Sequence, residues 1–192
     1  AALSHIYCTA PPPAPTAEVG MFTSQNRDTW ASARSRLEQI DKNREALATI
    51  DSALFVLCLD PPFKTMETAL PAMLHNYGHN RWFDKSIMFV VSEDGYLGGN
   101  MEHSGFDGHP AVVLNQHVYA RAAQDVALGS STHPDLKGEQ PVRVEFDITG
   151  MESVVEEACG HATRLGNSVD LSLLTWDGAS RDTIKQHGMS PD

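Results

Sequence analysis

Leu54-Phe55-Val56-Leu57-Cys58-Leu59, closed by Asp60-Pro61-Pro62, is the stretch on which the fold turns. Its unbroken apolar run predicts a strand buried on both faces, the kind found in a sheet covered by helices. Upstream, Asn26 is placed to cap a helix with Asp28 in its first turn, and Trp30, Ala33, Leu37 and Ile40 fall on one face at 3.6-residue spacing. A second helix is expected over 43–52, with Leu47 and Ile50 turned inward. Downstream, a short helix over 64–74 is followed by a break at Tyr77-Gly78-His79-Asn80, and Arg81-Trp82-Phe83-Asp84-Lys85 leads into a hairpin. That hairpin reads as Ile87-Met88-Phe89-Val90-Val91, a turn at Glu93-Asp94-Gly95, and Tyr96-Leu97-Gly98-Gly99-Asn100-Met101. Helices alternating with strands predict an α/β layer fold.

Further along, a helix is expected over 110–124 and a polar surface crossing over 128–140. A new unit then begins, with a strand at 142–146, a helix at 151–165 and a strand at 169–176. Two strands and one helix cannot close a core alone, so this unit reads as unfinished. At the other end, Pro11-Pro12-Pro13 and Pro15 make residues 1–18 a stiff, extended stretch. The first residue is Ala1 and the last three are Ser190-Pro191-Asp192, which predicts a piece of something longer.

The 192 residues, 41% of them hydrophobic, suffice for one good core or one core and part of another. No run approaches the roughly 20 uncharged apolar residues of a membrane span, and no secretory pattern opens the chain, so a soluble chain is expected. Cys8, Cys58 and Cys159 are odd in number and far apart, which favours a reducing compartment over a disulfide framework. A formal net charge of -11 disfavours nucleic acid and anionic membrane surfaces. Any phosphate-bearing ligand must therefore meet a local basic cluster.

Glu102-His103-Ser104-Gly105-Phe106-Asp107-Gly108 directly follows the hairpin and sets a histidine four residues before Asp-Gly. A neutral imidazole, with an ordinary pKa of roughly 6.5, accepts a proton from a hydroxyl or thiol near neutral pH and returns it later. Acyl transfer between a thioester and an alcohol needs such a base, and a histidine leaving a strand pair is held on a rigid support. Asp107, followed by the turn-permitting Gly108, is better suited to fixing the local backbone through a salt bridge than to relaying protons. Short patterns of this kind also arise by accident, and an ordinary polar histidine at a strand end is the competing reading. His75 and His79 have the i, i+4 spacing of a metal pair, but the glycine between them and the lack of nearby Cys or Glu favour a loop and no metal site. Arg81 and Asp84 are expected to contact one another, Trp82 and Phe83 to pack, and Trp30 to lie in the core. Phe106 is a candidate for a substrate tunnel, with packing the better reading.

Asn80-Arg81-Trp82-Phe83-Asp84-Lys85-Ser86, Phe89-Val90-Val91-Ser92-Glu93-Asp94-Gly95, Glu102-His103-Ser104 and Phe106-Asp107-Gly108 together resemble the signature of the carnitine/choline acyltransferase family. The blocks 23–31 and 54–60 resemble its upstream segments, and the likeness runs in family order from about Val19 onward. The resemblance implies an α/β CoA-dependent acyltransferase fold of two related lobes, with mixed sheets flanked by helices, only partly present in this chain. Residues 19–140 would form the later part of the first lobe and 141–192 the start of the second. It implies that His103 activates the carnitine hydroxyl, or the CoA thiol in reverse, with Asp107 and Gly108 as structural supports. It also implies coenzyme A or acyl-CoA as co-substrate, no permanently bound cofactor, carnitine as acceptor, and a place in fatty acid metabolism in mitochondria or peroxisomes.

Matching Ser190-Pro191-Asp192 to the family's tripeptide puts Arg181 and Lys185 on two lysines that hold the CoA phosphates. Lys185, Gln186, His187, Gly188, Met189, Ser190, Pro191 and Asp192 would then form the loop beside the nucleotide. Two cations four residues apart can grip a phosphate in an otherwise acidic protein. Arg181 stands where lysine is usual and Ser180 where the family has glycine; the plain alternative is a pair of solvated surface charges. Elements expected beyond Asp192, including a Ser-Thr-Ser stretch and the acceptor-binding residues, would complete the site, so the isolated chain is expected to be inactive without the rest of the parent. Choline is the second acceptor, since the choline branch also carries Ser-x-Phe-Asp-Gly after its histidine. A non-catalytic, truncated binding module is the rival of a different class, and a metal-dependent hydrolase a distant third.

Overall fold

The structure, a computed structural model, describes residues 6, 18–105, 107–127, 141–178 and 180–190. Most of the proline-rich stretch, Phe106, the 128–140 crossing, Pro191 and Asp192 lie outside the described residues. Helix α1 spans Arg27–Leu37 and begins as its sequence dictates, with the Asn26 side chain accepting the Asp28 N–H at 3.0 Å. Trp30, Ala33 and Leu37 are its buried stripe, while Ile40 lies beyond its end. Helix α2, Asp41–Ser52, buries Asn43, Ala46 and Leu47. Its last carbonyls are met from another part of the chain: Lys85 Nζ donates to Ile50 O at 2.6 Å, Asp51 O at 3.0 Å and Ala53 O at 2.7 Å. A cation at a helix C-terminus answers both the orphan carbonyls and the helix dipole.

The sheet has three strands in the order β1-β2-β3. Strand β1 (Val56–Asp60) runs parallel to β2 (Ile87–Ser92) in the register Cys58↔Val90, and β2 pairs antiparallel with β3 (Leu97–Met101) in the register Phe89↔Gly99. The hairpin is therefore where the sequence puts it, with Gly95 at φ 89° in its turn. The β1 expectation needs correcting. Leu54 is 82% exposed and Phe55 is exposed, and the strand alternates rather than burying both faces. Cys58, Met88 and Val90 face a small core with Phe63 and Ala69, whereas Leu57, Leu59, Phe89 and Val91 on the other face are only half covered.

Helix α3, Met66–Leu74, is capped by Thr65 and Thr68. A tight turn at Asn76–Gly78 then takes three left-handed residues in succession, Asn76, Tyr77 and Gly78. Beyond it, Arg81 does not reach Asp84. It forms a buried pair with Asp60, Nη2 to Oδ2 at 2.6 Å, while Asp84 accepts from Arg27 at 2.7 Å and from the Trp30 indole. Asp60 is carried there by β1, so the pairing depends on the parallel register rather than on nearness in sequence.

Helix α4 spans Gly108–Ala127, longer than expected at both ends, and α5 spans Glu152–Asn167. Met151, Val155, Ala158 and Ala162 of the α5 region enter one core with Val19, Met21, Phe22, Trp30, Leu37, Leu47 and Trp82. The strands expected at 142–146 and 169–176 do not form among the described residues. An extended segment becomes a strand only when a neighbour pairs with its backbone. Just past the first segment, the buried Asn43 donates from Nδ2 to Asp147 O and accepts the Asp147 N–H, both at 2.7 Å. Leu174 and Trp176 in the second segment are 86% and 70% exposed.

Candidate functional site

Strand β3 delivers the candidate base to the molecular surface. Its last residue, Met101, pairs with Ile87, and the ladder runs one step further through the Glu102 N–H to Ser86 O at 3.3 Å. His103 follows at once in a turn, with 78% of its side chain exposed. Its Nε2 lies 3.2 Å from Asp107 Oδ1, and the same oxygen accepts the Gly108 N–H at 2.6 Å. Asp107 thus pins the start of α4 and the imidazole together. The Gly108 amide chiefly, and the His103 ring next, hold its carboxyl below the usual carboxylate range. His103, Asp107 and Gly108, proposed from sequence as a group, are brought together.

Two residues of this turn escaped the sequence reading. The Glu102 carboxylate accepts the Ser104 N–H with both oxygens at 3.1 Å and also takes the Ser104 hydroxyl. The available signal was a carboxylate directly before the histidine and a hydroxyl directly after it. Phe106 lies outside the described residues.

Arg181 and Lys185 stand on helix α6, Arg181–Gln186, which Ser180 and Thr183 cap reciprocally. At i, i+4 they share a helical face, and both are exposed. His187 ends the helix and Gly188 turns the chain at φ 69°, leaving Met189 58% exposed. Ser180 in the place of a glycine therefore has a local use as the cap. Pro191 and Asp192 are outside the described residues.

His75 and His79 diverge: Nδ1 of His75 accepts the Tyr77 N–H at 3.1 Å, and Nδ1 of His79 lies 2.8 Å from Glu18. Burial, then the nearby Arg81, lowers the His75 pKa. Among the described residues no cluster of three His, Cys, Asp or Glu side chains is positioned to hold a metal ion, and no helix is long and apolar enough to cross a membrane. A cavity of about 410 Å³ opens between the first part of the chain and α5, lined by Leu74, Phe83, Asn100, Ala162 and Leu165 among others. Asn100 lies on β3, three residues before His103.

The family model described as choline/carnitine O-acyltransferase matches residues 1–192. The chain is 32% identical over 184 residues to mitochondrial carnitine O-palmitoyltransferase 2 of Xenopus tropicalis, covering 94% of this chain and 28% of that protein. It is 31% identical over 186 residues to carnitine O-acetyltransferase of Mus musculus, covering 91% of this chain and 29% of the relative. The chain thus spans under a third of the length of these relatives.

Proposed function

Because this chain belongs to the choline/carnitine O-acyltransferase family, we propose that it carries the base and part of the coenzyme A site of a carnitine O-acyltransferase. The observation that carries this reading is the exposed imidazole of His103, presented two residues past the end of β3 and held against Asp107. In the forward direction the imidazole takes the proton of the carnitine hydroxyl as that oxygen attacks the thioester carbonyl. The tetrahedral intermediate then collapses, the C–S bond breaks, and the imidazolium returns the proton to the CoA sulfur. In the reverse direction the CoA thiol is the group deprotonated. Asp107 orients the ring and accompanies its positive charge without taking the proton.

Arg181 and Lys185 are proposed to meet the CoA phosphates, with Gln186 to Asp192 beside the nucleotide; their shared helical face supports that role. The lobe boundary belongs near residue 140, and α5 is then the element through which the two lobes share a core. The cavity beside α5 fits a tunnel between them. Carnitine is the first acceptor because both relatives described above bear its name, with choline the second. A mitochondrial location agrees with the name of the frog relative, and a peroxisomal one with the wider family.

Replacing His103 with alanine in the full-length native protein tests the reading. Acyl transfer should disappear while CoA binding persists, and retained transfer sinks the assignment. An acceptor panel on the same protein separates carnitine from choline. The 78% exposure of the His103 side chain favours, for these 192 residues alone, a second reading as a binding unit without turnover.

A further inference from the structure

We infer that Glu102 is a positioning residue for His103, its carboxylate reaching forward to Ser104 and closing the turn from which the imidazole projects. The inference deepens the proposed function and rests on His103 being the base. The root of the device is the sheet: the Glu102 amide still donates into the β2 edge at Ser86 O, 3.3 Å away, so its backbone belongs to the ladder. Its side chain then passes the histidine and receives the Ser104 N–H on both oxygens at 3.1 Å, and the Ser104 hydroxyl as well. His103 is consequently bracketed by one residue fixed to the sheet and one fixed to that residue's carboxylate. On the far side Asp107 ties the ring to the Gly108 amide.

Burial follows the same order. Glu102 is half-buried, whereas His103, Ser104 and Gly105 are exposed, so the clamp is anchored from the protein side. The Arg27 guanidinium has its pKa raised chiefly by Asp84 and, last in order, by the charge of Glu102. Without the clamp, the chain from His103 through Gly105 would have, among the described residues, no side-chain anchor before Asp107. Its conformational freedom would spread the imidazole over many positions. A displacement of about 1 Å from productive geometry lowers a rate by about a hundredfold.

The test uses four variants of the full-length native protein: His103→Ala, Glu102→Ala, Glu102→Gln and Ser104→Ala, with kcat and both KM values measured for each. Glu102→Ala is expected to lower kcat about ten- to a hundredfold with both KM values within about twofold of the parent. Glu102→Gln, which keeps an acceptor oxygen for Ser104, should recover most of that loss. Ser104→Ala should lose less than Glu102→Ala, and adding it to Glu102→Ala should cost little more, because both act through one contact. An unchanged kcat in Glu102→Ala overturns the inference, as do independent, multiplying losses in the double variant or no recovery in Glu102→Gln. If Glu102→Ala fails to fold, the glutamine and serine variants decide alone. Activity retained in His103→Ala overturns the underlying assignment of the base. Activity lost there with full activity in Glu102→Ala overturns the clamp only.

Discussion

Arg81 and Asp60 meet through two parallel hydrogen bonds, Nη1 to Oδ1 at 3.0 Å and Nη2 to Oδ2 at 2.6 Å, with the side chains 0% and 1% exposed. Asp60 also accepts from Asn80, and Arg81 donates on to Ala72 O. Removing one charge strands the other. Asp60→Asn is expected to destabilise the fold by about 3–5 kcal/mol in urea unfolding, whereas Asp60→Asn with Arg81→Met should cost less than the sum of the single changes.

Lys85 closes the end of α2 with three hydrogen bonds to carbonyls. Lys85→Met keeps the aliphatic stem and removes the donors. The change should cost about 2–3 kcal/mol, and amide exchange should rise first in the last turn of α2. Uniform exchange across the domain would argue against a local cap.

Asp94 in the hairpin turn accepts from the Ser92 hydroxyl, from the Lys64 N–H at 2.7 Å and from the Phe63 N–H at 3.1 Å. The Ser92 bond first, then the two amides, hold its carboxyl below the ordinary range. A lowered folded pKa favours the ionised form in the fold. Its stabilisation is present above the unfolded pKa of about 3.9 and is lost as pH falls through the folded value. Asp94→Asn should flatten the acid limb of a urea-midpoint profile taken from about pH 6 to about pH 3.

Burial pushes the Cys58 thiol up, and the side chain is 1% exposed. Iodoacetamide at about pH 8 should therefore leave Cys58 unlabelled in the native protein and modify it only on unfolding. The half-buried Cys159 should react earlier. Peptide mass spectrometry after timed quenching separates the two.

Arg181 and Lys185 are exposed on one helical face, so the CoA-binding role proposed for them is an electrostatic one, screened by salt. Calorimetry with CoA on the full-length protein should show affinity reduced at least about tenfold by the double alanine variant, with a weaker salt dependence than the parent. Unchanged affinity would return both residues to the solvated surface.

Local signals account for what was legible. Asn26 with Asp28 announced α1, and the hairpin announced itself by apolar runs around Glu93-Asp94-Gly95. The group His103, Asp107 and Gly108 was legible because its contacts span at most four residues. The segments at 142–146 and 169–176 carried strand-like patterning, yet patterning states a preference and pairing needs a neighbour. Asn43 bonds the backbone of Asp147, just past the first segment. The partners of Arg81 and Lys85 were illegible for a related reason: Asp60 is 21 residues from Arg81 and the α2 carbonyls are 32 to 35 residues from Lys85.

The sequence by itself determined the family likeness, through blocks in order along the chain, and the start of α1, the hairpin and the histidine with its aspartate, each of these last written in residues within a few positions of one another. Only the tertiary structure decided that Arg81 pairs with Asp60, that Lys85 closes α2, and that α5 enters the core of the preceding residues. It also decided that Glu102 turns forward to Ser104. Hydrogen-bonding capacity is a property of a side chain, but which group answers it depends on what the folded backbone brings within about 3 Å.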